Sequence, residues 1–180
     1  MITFRPFDYS SQSDCNIQAK WENDPSIRHL FCFFKDEPSS LIKITPQQIA
    51  HQKPSGHSRR RWMILWDEAL VGEMGFSLDD EQLITKIPNT AWIGITIGEA
   101  SARNRGVGIV AIKYLEDQLA QLGVQSIELG VFEFNEIAIR FYRKLGYQEI
   151  IRLPDFAYWN GKMWADIRML KDLGFSHKLP

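Results

Sequence analysis

Cysteine is scarce: the chain has two, Cys15 and Cys32, among 180 residues. Two thiols cannot build a disulfide framework or a four-ligand zinc site. The four histidines, His29, His51, His57 and His177, show no metal-ligand spacing, so no metal is expected. Long apolar runs are missing as well. Stretches such as Trp62 to Trp66 fall far short of the roughly 20 residues that a bilayer span requires. The opening MITFRPFDYSS lacks the basic start and apolar stretch of a signal peptide. Neither sign of charge dominates, with 21 Lys and Arg against 22 Asp and Glu and a formal net charge of -1. No global basic field therefore invites nucleic acid or an anionic membrane. These absences lead us to expect a cytoplasmic protein with no nucleic-acid and no membrane partner, its thiols buried and reduced.

What is present is a globular composition, 44% apolar and 24% charged, which excludes a disordered chain, a collagen-like repeat and a coiled coil. At roughly 150 residues per domain the length gives one domain, 1–180, and no internal repeat or low-complexity linker divides it. Ile2 to Arg5 reads as a strand and Asp14 to Glu22 as a helix stopped by Asn23-Asp24-Pro25. Thr45-Pro46-Gln47-Gln48 combines a cap, a proline at the first helical position and a capping-box glutamine. Between them HLFCFFKDEPSSLIK has no regular period. RRWMILW, a turn at Asp67-Glu68 and ALVGEMGFSL read as a hairpin, followed by a turn at Asp79-Asp80-Glu81. Thr90 to Ile97 reads as a central strand.

The helical pattern is strongest in GVGIVAIKYLEDQLAQLG, where Val107, Val110, Ala111, Tyr114, Leu115, Leu119 and Leu122 form a stripe and Gly123 stands as the cap. Gln125 to Phe132 alternates as a strand reached by a crossover, hence parallel to Thr90 to Ile97. Asn135 then caps a helix with Ala138, Phe141, Tyr142 and Leu145 on one face, closed by Gly146. YQEII and KMWADIRML are the last strands, the final hairpin turning at Asn160-Gly161. An exposed final strand would leave the chain free to be a monomer or a homodimer. The expected fold class is α/β in the α+β sense: a mixed, mostly antiparallel sheet flanked by helices.

The sharpest local feature is Arg103-Asn104-Arg105-Gly106-Val107-Gly108, a basic loop running into the strongest helix. Helix starts carry unpaired N–H groups and a partial positive charge, and glycines admit phosphate oxygens to the backbone. Arg103 and Arg105 add charge that reads as mobile. A plain glycine turn with two solvated arginines would have the same sequence. Gly106 to Ala111 also fits the dinucleotide fingerprint G-x-G-x-x-[GA], with Glu133 after the next strand, although antiparallel hairpins precede it and Ile97 lies well before Gly106.

At this point the sequence resembles the GNAT superfamily of N-acetyltransferases. Arg103-x-x-Gly106-x-Gly108 matches its central signature, and the strand WIGITI, the helix, the strand IELGVF and Asn135-x-x-Ala138-x-x-Phe141-Tyr142-x-x-x-Gly146-Tyr147 follow in its order. ITFRPF, Trp21-Glu22-Asn23-Asp24-Pro25 and the Asn160-Gly161-Lys162 hairpin are similar to the branch holding ribosomal-protein N-terminal and spermidine acetyltransferases. The resemblance implies a cofactor-binding core at about 90–150 with splayed central parallel strands. It implies acetyl-coenzyme A as co-substrate, its pantetheine arm on backbone groups near Ile95 and Ile97 and its pyrophosphate on the amides of Arg105, Gly106, Val107, Gly108 and Ile109. Asn135 would touch the cofactor arm, and Tyr142 would be the general acid that protonates the departing thiolate. Neither cysteine lies in the motif, which favours direct attack over an acyl-cysteine.

The general base is harder to assign, because many relatives carry a glutamate immediately before Ile-Gly-Ile and this chain has Trp92. Glu73, in the neighbouring strand, is the nearest acidic candidate; a solvent-facing glutamate and a water-relayed proton transfer are the alternatives. Trp92 itself would suit an apolar acceptor wall, and Arg59-Arg60-Arg61 reads first as a solvated cluster. The acceptor, a primary amine, could be a protein N-terminus, a polyamine, an aminoglycoside or a small metabolite, held by the 26–45 stretch and the 153–163 hairpin. A non-catalytic acyl-coenzyme A sensor and a nicotinamide-dependent oxidoreductase are the competing readings.

Overall fold

A computed structural model describes residues 1–54 and 58–174, so His57 and His177 lie outside the described residues. Its strands are β1 (Ile2–Pro6), β2 (Arg59–Trp66), β3 (Ala69–Leu78), β4 (Thr90–Thr96), β5 (Ser126–Phe132), β6 (Gln148–Trp159) and β7 (Lys162–Asp172). The helices are α1 (Gln12–Asn23), α2 (Glu37–Leu41), α3 (Pro46–His51), α4 (Val107–Gln121) and α5 (Glu136–Lys144). The seven strands form one sheet in the order β1-β2-β3-β4-β5-β7-β6. Every neighbouring pair is antiparallel except β4 and β5, joined by the crossover through α4. The final strand β7 is therefore interior and the sheet's two edges are β1 and β6, which corrects the expectation of an exposed last strand.

Period-2 patterning gives the sheet two unlike faces. On one face Ile64, Met74, Ile93, Ile127, Leu129 and Ile167 pack under α4 and α5. On the other, α1 and α3 pack through Trp21, Ile49 and Met63 at the end of the sheet that holds the first strands. Over β3, β4, β5 and β7 that second face is polar, carrying Glu73, Trp92, Gly94, Glu128, Asp166 and Arg168. The α4 stripe is shifted from the expected one: Val107, Ala111, Ile112, Leu115 and Leu119 are buried, whereas Val110 and Leu122 are more than 40% exposed. The face centred on Ala111 and Leu115 spreads toward Ile112 and away from Val110.

Turn chemistry follows the sequence closely. Asp67, Glu68, Asn160 and Gly161 all adopt positive φ, as two-residue hairpin turns require. The irregular stretch between α1 and α3 contains α2, capped by a reciprocal Asp36–Ser39 box. Pro154 does not end β6, because this is an edge strand and its pairing with β7 is already irregular between Leu153 and Ala157.

The end of β4 is fixed from both sides. A Cβ on Gly98 would stand 2.2–2.4 Å from ring carbons of the buried Trp21. Gly98→Ala is therefore expected to reduce the unfolding free energy by about 1–3 kcal/mol through overpacking. The check is the urea midpoint at constant slope, and an unmoved midpoint would show that Trp21 can yield.

Candidate active site

The parallel pairing of β4 and β5 covers only Thr90 to Trp92 against Ser126 to Glu128, after which the strands part. The β5-facing backbone groups of residues 93–96 thus have no strand partner. Into this gap opens a cavity of about 650 Å³ lined by Ile95, Thr96, Ile97, Arg103, Gly106, Gly108, Ile109, Asn135, Ala138, Phe141 and Tyr142. Ile27, Leu30, Phe31, Phe134 and Ile137 close it from neighbouring loops and from α5.

Each glycine of the motif has its own geometric reason. Gly106 is the N-cap of α4 at φ +82°, a left-handed conformation with open space where a Cβ would lie. A Cβ on Gly108 would sit 3.3 Å from Phe141, so Gly108 sets the approach of α4 to α5. No side chain caps α4, which leaves the helix start as a site for negative charge.

Arg103 is not a mobile charge. Its Nε donates to the Ile97 carbonyl at 3.0 Å and its Nη2 to the Gly98 carbonyl at 2.6 Å, so it ties the loop to the end of β4. Arg105 is exposed and lies outside the cavity lining, and the Val107 side chain is buried in the core. Asn135 accepts from the Ala138 amide at 3.2 Å, capping α5, while also lining the cavity.

Tyr142 lies where two cavities meet. The second, about 260 Å³, is lined by Leu30, Phe31, Glu73, Trp92, Gly94, Ile95, Gly130, Val131, Phe132, Asn135 and Tyr142. The Tyr142 ring packs edge-on against Phe141 and Tyr147, with centroids 5.1 and 5.5 Å away. Burial pushes its phenol well above the ordinary tyrosine value, so it keeps its proton.

Glu73 borders this second cavity with a side chain 15% exposed, which removes the solvent-facing alternative. Arg61 holds its Oε2 through Nε at 3.1 Å and Nη2 at 3.0 Å. Arg61 is buried beneath Phe7, its guanidinium 4.7 Å from the ring centre, and so is not part of a solvated cluster. The α1 residue Glu22 lies close by, where burial pushes its carboxyl above the usual value against a 2.8 Å hydrogen bond from Gln18.

The Trp92 indole backs onto Arg168, whose guanidinium is 4.7 Å from the ring centre. Gly130 gives it room, since a Cβ there would meet Trp92 at 3.0 Å and the Asp166 carboxylate at 2.8 Å. The 26–45 stretch contributes Ile27, Leu30 and Phe31, but no residue of 153–163 lines either cavity. That hairpin acts at one remove: Trp159 stacks on His29 at 4.1 Å. Leu30 and Phe31 gave no motif, because a strip of loop that packs against a sheet face has no local code; Glu22 and Thr96 stood within Trp21-Glu22-Asn23-Asp24-Pro25 and WIGITI without being read as site residues.

Burial pushes the Cys32 thiol up to about 12, and neither cysteine borders the cavities. Among the described residues no group of three or more His, Cys, Asp or Glu is placed to hold a metal ion. Nor, among them, is any helix long and apolar enough to cross a membrane.

A mixed sheet that splays beside an uncapped, glycine-flanked helix start defines the class as acyltransferases that use a thioester carrier. The sequence model of the acetyltransferase (GNAT) family matches residues 12–147. The chain belongs to that family and is an acetyl-CoA-dependent N-acetyltransferase. Solved structures of low identity share its fold. Spermidine N-acetyltransferase from Vibrio cholerae, in complex with CoA and spermine, superposes with a TM-score of 0.76 at 18% identity, over 96% of this chain and 95% of that one. The ribosomal-protein-S18-alanine N-acetyltransferase from Escherichia coli gives 0.73 at 14% identity, over 100% and 99%. The yncA protein of Salmonella typhimurium, solved with its cofactor acetyl-CoA, gives 0.76 at 14%, over 98% and 96%. No curated protein matches the chain.

Proposed function

We propose that this protein transfers the acetyl group of acetyl-coenzyme A to a primary amine by direct attack, both substrates bound at once. The observation that carries the reading is the early parting of β4 and β5 beside the open start of α4. The residues suit the donor: unpaired strand groups match an extended, amide-bearing arm, and the left-handed Gly106 with the first amides of α4 matches a diphosphate. Ile95 and Ile97 would flank the arm, with Arg103 bracing the loop from below. Ile109 and Asn135 border the same cavity. Arg105 and Val107 would take part through their backbone, as their side chains point elsewhere in function: one to solvent, one to the core.

When bound, the donor supplies an activated acyl carbon. Tyr142 then donates its phenolic proton to the leaving sulfur; burial keeps that proton in place at neutral pH while making the phenol a weaker acid. Glu73 accepts the proton of the incoming ammonium through a water in the smaller cavity, its Oε1 being free of Arg61. An alkylammonium near pKa 10 is almost wholly charged at pH 7, so this step is needed before attack. Bringing amine and thioester together in adjoining cavities removes the entropy of a bimolecular encounter.

The test is a melting shift followed by turnover. Coenzyme A at 100 times its dissociation constant should stabilise the fold by about 2.7 kcal/mol, whereas NAD should do nothing. Thiol release with an amine panel should then exceed hydrolysis. Stabilisation by NAD alone would restore the oxidoreductase, and tight coenzyme A binding without acetylation of any amine would leave a sensor.

A further inference from the structure

We infer that the acceptor is a small arylalkylamine, its amine directed to Glu73 and its flat ring held against Trp92 in the smaller cavity. The inference rests on the acetyl-transfer reading and names the class of amine that the same site takes. The β3–β4 register sets Glu73 opposite Thr96 and Trp92 opposite Ser77, all on one face of the sheet. Trp92 thus stands four positions from Thr96, the partner of Glu73, or roughly 13 Å along β4 at about 3.3 Å per residue. Between them on that face comes Gly94, where a Cβ would meet nothing within 4 Å. The floor between acid and indole is therefore bare backbone, a surface that suits something flat.

Much of the remaining wall is ring. Phe31 from the loop after α1, Phe132 from the end of β5 and Tyr142 from α5 border the cavity together with Trp92. Phe132 is backed by Phe134 at 5.5 Å, which meets Trp164 edge-on at 5.4 Å. Trp92 is fixed in place: Gly130 leaves room for the edge of the indole, and the Arg168 guanidinium lies 4.7 Å from its ring centre. Arg168 is held in turn by Asp166 and by the Gln82 carbonyl. Rings ordered in advance admit a planar guest at little cost in side-chain freedom, and ring–ring contact adds to what burial alone contributes.

The charges around this space select against other amines. Among the described residues, Glu73 and Tyr142 are the titratable side chains on its walls, and Glu22 is not one of them. A diamine would bring a second ammonium with no second carboxylate to meet it, and the Trp92 ring already carries the Arg168 cation. An amino acid would find no lysine, arginine or histidine for its carboxylate there. An aminoglycoside or a peptide would set hydroxyls or amides against rings that cannot pair them. An alkyl chain fits but gains no ring contact.

The experiment measures kcat/KM for the full chain with acetyl-coenzyme A and five acceptor series: ω-phenylalkylamines of graded length, their cyclohexyl counterparts, n-alkylamines, diamines, and short peptides with free N-termini. Rates are expressed per neutral amine, because a nearby aryl group lowers an amine's pKa. The best phenylalkylamine should exceed its cyclohexyl counterpart by about three- to tenfold, the worth of an aromatic pair, and the other series by at least as much. Trp92→Leu should erase the phenyl advantage and Trp92→Phe should keep most of it. Coenzyme A affinity should be unchanged in both, since Trp92 does not line the larger cavity given to the donor. If the leucine variant does not fold, the wild-type ratio of phenyl to cyclohexyl acceptor decides alone. Equal or better turnover of cyclohexyl amines, alkylamines, diamines or peptides by the wild type would overturn the aryl site and leave acetyl transfer standing. A phenyl advantage that survives Trp92→Leu would equally overturn it. Failure to acetylate any amine, with coenzyme A bound, would sink the transfer reading and this inference with it.

Discussion

Tyr142→Phe should slow turnover by roughly 100- to 1000-fold, the usual size of a general-acid contribution, while coenzyme A affinity and the melting midpoint hold. The ring is what packs: it lies edge-on to Phe141 and Tyr147 and borders both cavities, and phenylalanine keeps those contacts. Only the proton is lost. The wild-type pH profile adds a second check with a definite sign. Burial raises the Tyr142 phenol, so its acid form persists across the range where amines lose their proton. Activity should therefore climb with pH toward the amine's own value near 10, with no decline from tyrosine ionisation on the way. A Tyr142→Phe enzyme of full activity would remove the phenol from the mechanism and pass proton delivery to solvent.

How much of this could be read from residues alone differs between the two halves of the chain. From Thr90 onward the elements are long, strongly patterned and joined by glycine caps at Gly106, Gly123 and Gly146, all of which adopt positive φ. Local chemistry and global fold agree there, and the cradle was legible as a helix start with two glycines. Arg103 was legible as a basic residue but not as a brace, because its partners are backbone carbonyls of residues 97 and 98 that any sequence would supply. The first half was legible in its caps, Thr45-Pro46-Gln48 above all. It was not legible in the way α1 lays Gln18 and Glu22 over the sheet face carrying Glu73 and Gly94, since that arrangement is set by packing of Trp21, Ile49 and Met63. Trp92 stood out in the sequence as a departure from the family pattern. Its partner Arg168 did not, being 76 positions away and brought close only by the β4–β5–β7 order.

Arg168 carries the second large effect. Arg168→Met keeps most of the volume and removes the charge, and it should cost about 3–5 kcal/mol of stability at neutral pH. The guanidinium is 4% exposed, donating to Asp166 at 2.5 Å and to the Gln82 carbonyl at 2.7 Å, with Glu128 at 3.8 Å. Without it two buried carboxylates share one region with no cation. Glu128 retains the Ile84 and Thr85 amides and the Thr85 hydroxyl, so the penalty falls mainly on Asp166. Burial already pushes the Asp166 carboxyl above its ordinary value, and Arg168 is the cause that opposes it. Deleting Arg168 raises it further. A carboxyl whose folded value exceeds its unfolded value destabilises once ionised, so the deficit is full above the folded value and vanishes below the unfolded one. The gap between wild type and Arg168→Met in urea should accordingly narrow as pH falls toward the ordinary aspartate value near 3.9. A gap that stays constant with pH would mean that the loss is one of packing against Trp92, and the carboxylates would have no part in it.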